Sequence, residues 1–254
     1  MENSSKISPS VATKEVLIVR DLYKSFGENK VLNGFNLTLF EGENLVMMGK
    51  SGSGKSVLIK CLVGLLQPDS GKVVLFGQDI STLNLTEMNQ LRTQVGFLFQ
   101  GSALYDSMTV RENLEFTLRR HTQKLSEEET ENLVMEALNN VGLAHTVNLM
   151  PEELSGGMQR RVALARALIL KPKIIFYDEP TTGLDPITAK EIILLMRSIQ
   201  KKYNTSALII THDVDCARVI SNRMILLIDG VNYAEGTFSE LSAAEDPKIK
   251  AFFK

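Results

Sequence analysis

Two hydrophobic periods alternate along the chain, and the places where one gives way to the other sketch the fold. "EVLIVRDLYKSF" and "GFNLTLFEGENLVMM" are rich in β-branched and aromatic residues, the second with partial period-two alternation. Both read as short strands and predict an antiparallel β start. From residue 46 the texture changes to apolar strand, Gly-rich turn, helix. It recurs where "KIIFYDEP" precedes "ITAKEIILLMRSIQKK" and where "SALIITHD" precedes "VDCARVI". Continuous β-branched runs alternating with helices predict a parallel sheet covered on both faces.

Between about residues 100 and 170 strand signals nearly vanish. "TVRENLEFTLRR", "SEEETENLVMEALNNVG" and "GGMQRRVALARALIL" carry helical periodicity, the second opening on Ser-x-x-Glu. That stretch predicts a helical subdomain inserted into the α/β core. Toward the end, "NRMILLIDGVNYAEG" predicts a strand pair around Asp229-Gly230, followed by a short C-terminal helix closing on "DPKIKAFFK".

Composition narrows this picture only in places. A length of 254 residues allows a sizeable core in two compact lobes at most. Twenty-eight basic and 30 acidic residues give a formal charge of −2, so no broad electrostatic footprint for nucleic acid is present. Cys61 and Cys216 lie far apart with no CxxC or metal-like spacing, which suits a reducing compartment and two small buried hydrophobes. "MENSSKISPSVATK" is Ser-rich and lacks the apolar stretch of a signal peptide, and no uninterrupted apolar run approaches the roughly 18 residues of a membrane span. A soluble, cytoplasmic chain is the expectation.

The candidate chemistry sits where strands end. "GKSGSGKS" fits G-x-x-x-x-G-K-[ST] between the strand "ENLVMM" and the helix "VLIKCLVGLL". Gly49, Lys50, Ser51, Gly52, Ser53 and Gly54 let the backbone wrap a polyphosphate, Lys55 reaches the β and γ phosphates, and the Ser56 hydroxyl ligates Mg2+. "IIFYDEP" ends an apolar strand with adjacent carboxylates. Beside a P-loop, Asp178 reads as the metal-side residue and Glu179 as the general base; Asp-Glu-Pro is also good turn chemistry. His212 ends another apolar strand, where ligands gather in open α/β sheets, and from there it can touch the γ-phosphate and the attacking water. His121 and His145 read as structural. A second anion-seeking feature, "ELSGGMQRR", puts a serine and paired glycines ahead of a helix, leaving backbone N–H groups uncovered.

In order along the chain, the P-loop, Gln100 closing "GFLFQ", "LSGGM", "IIFYDE", "TTGLD" and His212 resemble the full motif set of ABC-transporter ATPase subunits over about residues 16–233. The resemblance implies an α/β P-loop NTPase (ABC ATPase) core with an antiparallel β subdomain and an inserted helical subdomain. Expected boundaries are a flexible leader over 1–14, the ATPase domain over 15–240 with its helical subdomain at about 101–170, and a C-terminal helical extension over 241–254. It also implies ATP and Mg2+ as cofactors and Gln100 as a Q-loop residue that joins the lobes, serves catalysis and ligates metal. Phe26 would stack on adenine, although a core aromatic at a strand end reads the same. Ser155, Gly156 and Gly157 would serve the ATP held by a second copy, in a head-to-tail homodimer with two shared sites, and Asp185 would be a further ATP-binding residue. Met158 stands where many members have glutamine, a departure that leaves Ser155 and Gly157 intact.

Longer strings, "FLFQGSALYDSMTVRENLEFTLRRHTQ", "LMPEELSGGMQRRVALARAL", "GLDPIT" and "DPKIKAFFK", resemble the MlaF-type ATPases of Mla/MCE phospholipid transport systems. That likeness implies an MlaE-like integral permease, an MCE-domain lipid-binding protein and a station on the cytoplasmic face of the inner membrane. Residues 100–106 are the expected permease contact. Phe252 and Phe253 either clasp the second protomer or pack on their own chain. An ATPase of lipoprotein release or amino-acid uptake shares every catalytic motif, and a soluble non-transport switch is the reading from another class.

Overall fold

The computed structural model describes residues 14–121 and 125–253; most of the expected leader, residues 1–13, lies outside them. The chain opens with β1 (Glu15–Phe26), β2 (Asn29–Phe40), β3 (Asn44–Gly49) and α1 (Lys55–Leu62), then β4 (Ser70–Leu75), β5 (Gln78–Asp79), α2 (Leu85–Arg92) and β6 (Val95–Leu98). Three helices follow, α3 (Val110–His121), α4 (Glu127–Asn140) and α5 (Gly156–Leu168). Strand and helix then alternate through β7 (Ile174–Asp178), α6 (Pro186–Tyr203), β8 (Ser206–Ile210), α7 (Val214–Ile220) and β9 (Arg223–Ile228), before β10 (Val231–Gly236), α8 (Phe238–Ser242) and α9 (Pro247–Lys250).

Six strands build one sheet in the order β10-β9-β3-β8-β7-β6, parallel except for the β9-β10 hairpin. Every residue of β3 and β8 is buried, as strands with both faces covered require. Alternate side chains feed two cores. Val46, Ile175, Tyr177 and Ile209 join helices α3 to α7 on one face, while Met47, Ile174, Phe176 and Ile210 join α1 and the second sheet on the other. That second sheet, β2-β1-β4-β5, is antiparallel throughout.

Two details depart from the sequence expectation. The opening strands are not short: β1 and β2 run 12 residues each. "GFNLTLFEGENLVMM" is not one strand either, because Gly42 takes φ +71° and the Glu43 carboxylate accepts the Phe40 N–H, turning the chain so that β2 and β3 enter different sheets. Both cysteines are buried, and burial pushes their thiols up to about 11 for Cys61 and about 12 for Cys216. Among the described residues no helix is long and apolar enough to cross a membrane.

Candidate nucleotide site

Strand β3 delivers the chain to the P-loop at Gly49, and α1 begins at Lys55. Gly54 caps that helix at φ 101°, where a Cβ would lie 2.7 Å from Val31 Cγ1, so the tight entry into α1 needs glycine. Lys55 Nζ donates to the carbonyls of Gly49 (2.6 Å) and Lys50 (3.0 Å), which aims the ammonium along the loop. Burial lowers its pKa, and the charges of Glu179 and Asp178 oppose that shift. A cleft of about 620 Å³ opens over the loop. Phe26, half exposed, lines it with Gly49, Lys50, Ser51, Gly52, Gly54, Lys55, Ser56, Gln100, Asp178, Glu179 and His212. Ser53 is the exception in the loop: its hydroxyl is buried without a partner and the residue lines a neighbouring cavity of about 550 Å³.

The two carboxylates differ because the backbone separates them. Asp178 ends β7, and burial first, then the adjacent Glu179, pushes its carboxyl above the usual range. Glu179 turns away at φ +50°, a left-handed conformation uncommon for glutamate, with its N–H fixed to the Ile210 carbonyl at 2.9 Å. Its side chain is 12 % exposed, and Oε2 meets the Thr182 hydroxyl at 3.2 Å and His212 Nδ1 at 2.8 Å. A buried carboxylate held from two sides and open to the cleft can accept a proton from a water there. Ser56, Gln100 and Asp178 offer hard oxygen donors, the chemistry Mg2+ takes when phosphates complete its shell.

The remaining sequence-derived residues lie elsewhere. Ser155 caps α5, its Oγ accepting the Met158 N–H at 3.2 Å. Asp185 caps α6 by accepting from Ile187 N, Thr188 N and the Thr188 hydroxyl. A Cβ on Gly157 would meet Thr188 Cγ2 at 2.5 Å, so these two helix starts are pressed together. Ser155, Gly156, Gly157 and Asp185 do not line the cleft over the chain's own P-loop.

Sequence reasoning missed two arginines on α5. Arg160, 4 % exposed, donates to the carbonyls of Phe99 (2.6 Å), which precedes Gln100, and Thr182 (3.2 Å), whose hydroxyl meets Glu179. Arg166 donates to Ser102 and Ala103, both at positive φ. Arginines recurring on a largely buried helix were the available signal.

The family profile described as "ABC transporter" matches residues 32–182. The chain is 39% identical over 234 residues to the "Probable ribonucleotide transport ATP-binding protein mkl" of Mycobacterium tuberculosis, an alignment covering 92% of this chain and 65% of that protein. It therefore spans just under two thirds of that relative's length. It is 36% identical over 241 residues to the "Intermembrane phospholipid transport system ATP-binding protein MlaF" of Haemophilus influenzae, covering 95% of this chain and 91% of that one. Among solved structures, the ATP-binding cassette MJ0796, a dimer in a post-hydrolysis state bound to ADP and Pi, superposes with a TM-score of 0.79 at 33% identity, over 87% of this chain and 98% of that one.

Proposed function

The chain belongs to the ABC transporter ATPase family, and on that premise we propose that it hydrolyses ATP to drive a separate membrane permease in phospholipid transport between membranes. The single observation that carries the lipid reading is the MlaF match, which runs along nearly the whole of both chains. The mkl match, named for ribonucleotide transport, favours the rival reading of another cargo on the same cassette. The proposed assembly is two copies of this chain on the cytoplasmic face of the inner membrane, with an MlaE-like permease and an MCE-domain lipid-binding protein. Its test is purification of the complex from membranes. A multi-span permease with an MCE-domain protein supports the lipid reading, a different permease supports the rival, and a chain that brings no membrane partner defeats both.

In the hydrolytic step the P-loop N–H groups and Lys55 hold the β and γ phosphates, and Phe26 stacks on the base. Glu179 takes a proton from the attacking water while His212, bonded to the same carboxylate oxygen, holds it in line. Ser56, Gln100 and Asp178 would hold Mg2+, which would supply charge neutralisation on the phosphate oxygens. Ser155, Gly156, Gly157 and Asp185 act across the interface on the partner's nucleotide, a role supported by their exclusion from the chain's own cleft.

Mixed dimers test that division. With Glu179→Gln in both chains, Lys55→Ala and Ser155→Arg on one chain damage one half of each shared site, and trapped ATP falls to almost none. Placed on opposite chains, the same lesions gather in one site, and about one ATP per dimer is retained. Equal trapping in the two arrangements refutes head-to-tail sharing.

A further inference from the structure

Strand β1 outruns β4. Their pairing ends at Tyr23 and Ser70, so Lys24, Ser25 and Phe26 continue with β2 alone on one side. The open side is closed by one residue, Asp69. Its backbone N–H donates to the Tyr23 carbonyl at 2.9 Å, its Oδ2 accepts the Ser25 N–H at 2.6 Å, and its Oδ1 accepts from Lys24 Nζ at 2.7 Å. Gly71, at φ +100°, makes the approach possible: a Cβ there would lie 2.3 Å from the Asp21 carbonyl oxygen. The ammonium of Lys24, whose side chain is only 14 % exposed, then sits 5.5 Å from the centre of the Phe26 ring.

We propose that Asp69 is a positioning residue for nucleotide binding, fixing the end of β1 and the Lys24 ammonium so that the Phe26 ring is already oriented when the base arrives. The proposal rests on the reading of Phe26 as the base-stacking residue. An exposed ion pair adds little stability by itself, and Asp69 is half exposed. Its effect here is on geometry. A half-exposed ring at the tip of a hairpin samples several rotamers unless something limits them, and ordering it on binding reduces affinity. Asp69 does the ordering beforehand, from a loop 43 residues beyond Phe26 and without contact to any phosphate-binding group.

The test is a double-mutant cycle read with two probes, ATP and inorganic tripolyphosphate, on the full chain. Asp69→Ala weakens ATP binding about threefold to tenfold, a part of what complete loss of base stacking would remove, and leaves tripolyphosphate affinity within about twofold. In a Phe26→Ala background, Asp69→Ala has no further effect on ATP. Asp69→Asn, which keeps an acceptor for Ser25 and loses the charge that holds Lys24, gives the same pattern at smaller amplitude and serves if the alanine variant does not fold. Equal losses of ATP and tripolyphosphate, or an ATP loss that persists without Phe26, overturn the proposal, as does unchanged ATP affinity in Asp69→Ala. If Phe26→Ala itself binds ATP normally, the stacking reading fails first and the proposal falls with it.

Discussion

Replacing Glu179 by glutamine isolates the proton-accepting step. The carboxylate oxygen that meets Thr182 and His212 becomes a carbonyl oxygen able to accept from both, and the left-handed backbone is unchanged because the two side chains share their first carbons. Weaker hydrogen bonds and relief of the repulsion with Asp178 act in opposite directions, so fold stability should move by no more than about 1 to 2 kcal/mol. Binding of ATP should persist, since in the proposed site Lys55 and loop N–H groups hold the phosphates. What is lost is general-base catalysis, worth about 10²- to 10⁴-fold, or roughly 3 to 5.5 kcal/mol of transition-state stabilisation. Steady-state phosphate release, ATP affinity at equilibrium and size-exclusion chromatography with Mg-ATP together check this: slow release, retained binding and accumulation of closed dimers. A kcat within about fivefold of wild type with intact ATP binding refutes the assignment. If the rate survives Glu179→Gln and disappears in His212→Ala, the base is His212.

Asp178 gives a pH-dependent prediction. Burial and Glu179 raise its carboxyl pKa in the fold, so its contribution to stability is full at low pH and is lost as pH rises above the ordinary value of 3.8. Nucleotide-free Asp178→Asn should thus melt above wild type at neutral pH, with the advantage vanishing below about pH 4, while Mg2+-dependent ATP binding weakens; a gap that widens on acidification contradicts this. Phe253 lies edge-on against Phe238 of its own chain at 5.5 Å and packs on the main core. Phe253→Ala should destabilise the protein by about 1–3 kcal/mol in denaturant melts without changing dimer formation, whereas lost dimers with unchanged melting would mark a clasp on the partner.

The parts of this site that the sequence disclosed are those built from adjacent residues. Gly49 to Ser56, Asp178 with Glu179, and His212 each lie where an apolar run ends, and strand, turn and helix signals occur together within a dozen residues. What stayed hidden depends on partners remote in sequence. The β4-β5 hairpin is short, turns through Phe76 and Gly77 at φ +51° and +80°, and owes its place to β1. Asp69 meets Lys24 across 45 residues, and Arg160 reaches carbonyls 61 and 22 residues away. A main-chain carbonyl has no sequence signature, so an arginine that serves one cannot be paired by inspection.

Those arginines explain why α5 holds so much of the machinery. A buried guanidinium without a carboxylate is costly unless its donors find acceptors; two of the Arg160 nitrogens reach the carbonyls of Phe99 and Thr182, while its Nε is buried without a partner. Arg166, farther along the same helix, holds the strained turn at Ser102 and Ala103, inside the expected permease contact. Ser155 begins that helix and Gly157 locks it to Thr188, which Asp185 holds. Thirteen helical residues, about 20 Å of rigid rod, therefore join the segment a permease would push, the loop that carries Glu179, and the helix start that would meet the partner's phosphate. In the proposed dimer a displacement at residues 100–106 cannot leave Ser155 where it was unless the Arg166 hydrogen bonds break. If the two phosphate-seeking features serve different molecules' sites, as proposed, such a rod would let closure of one site be felt by both the membrane partner and the other site.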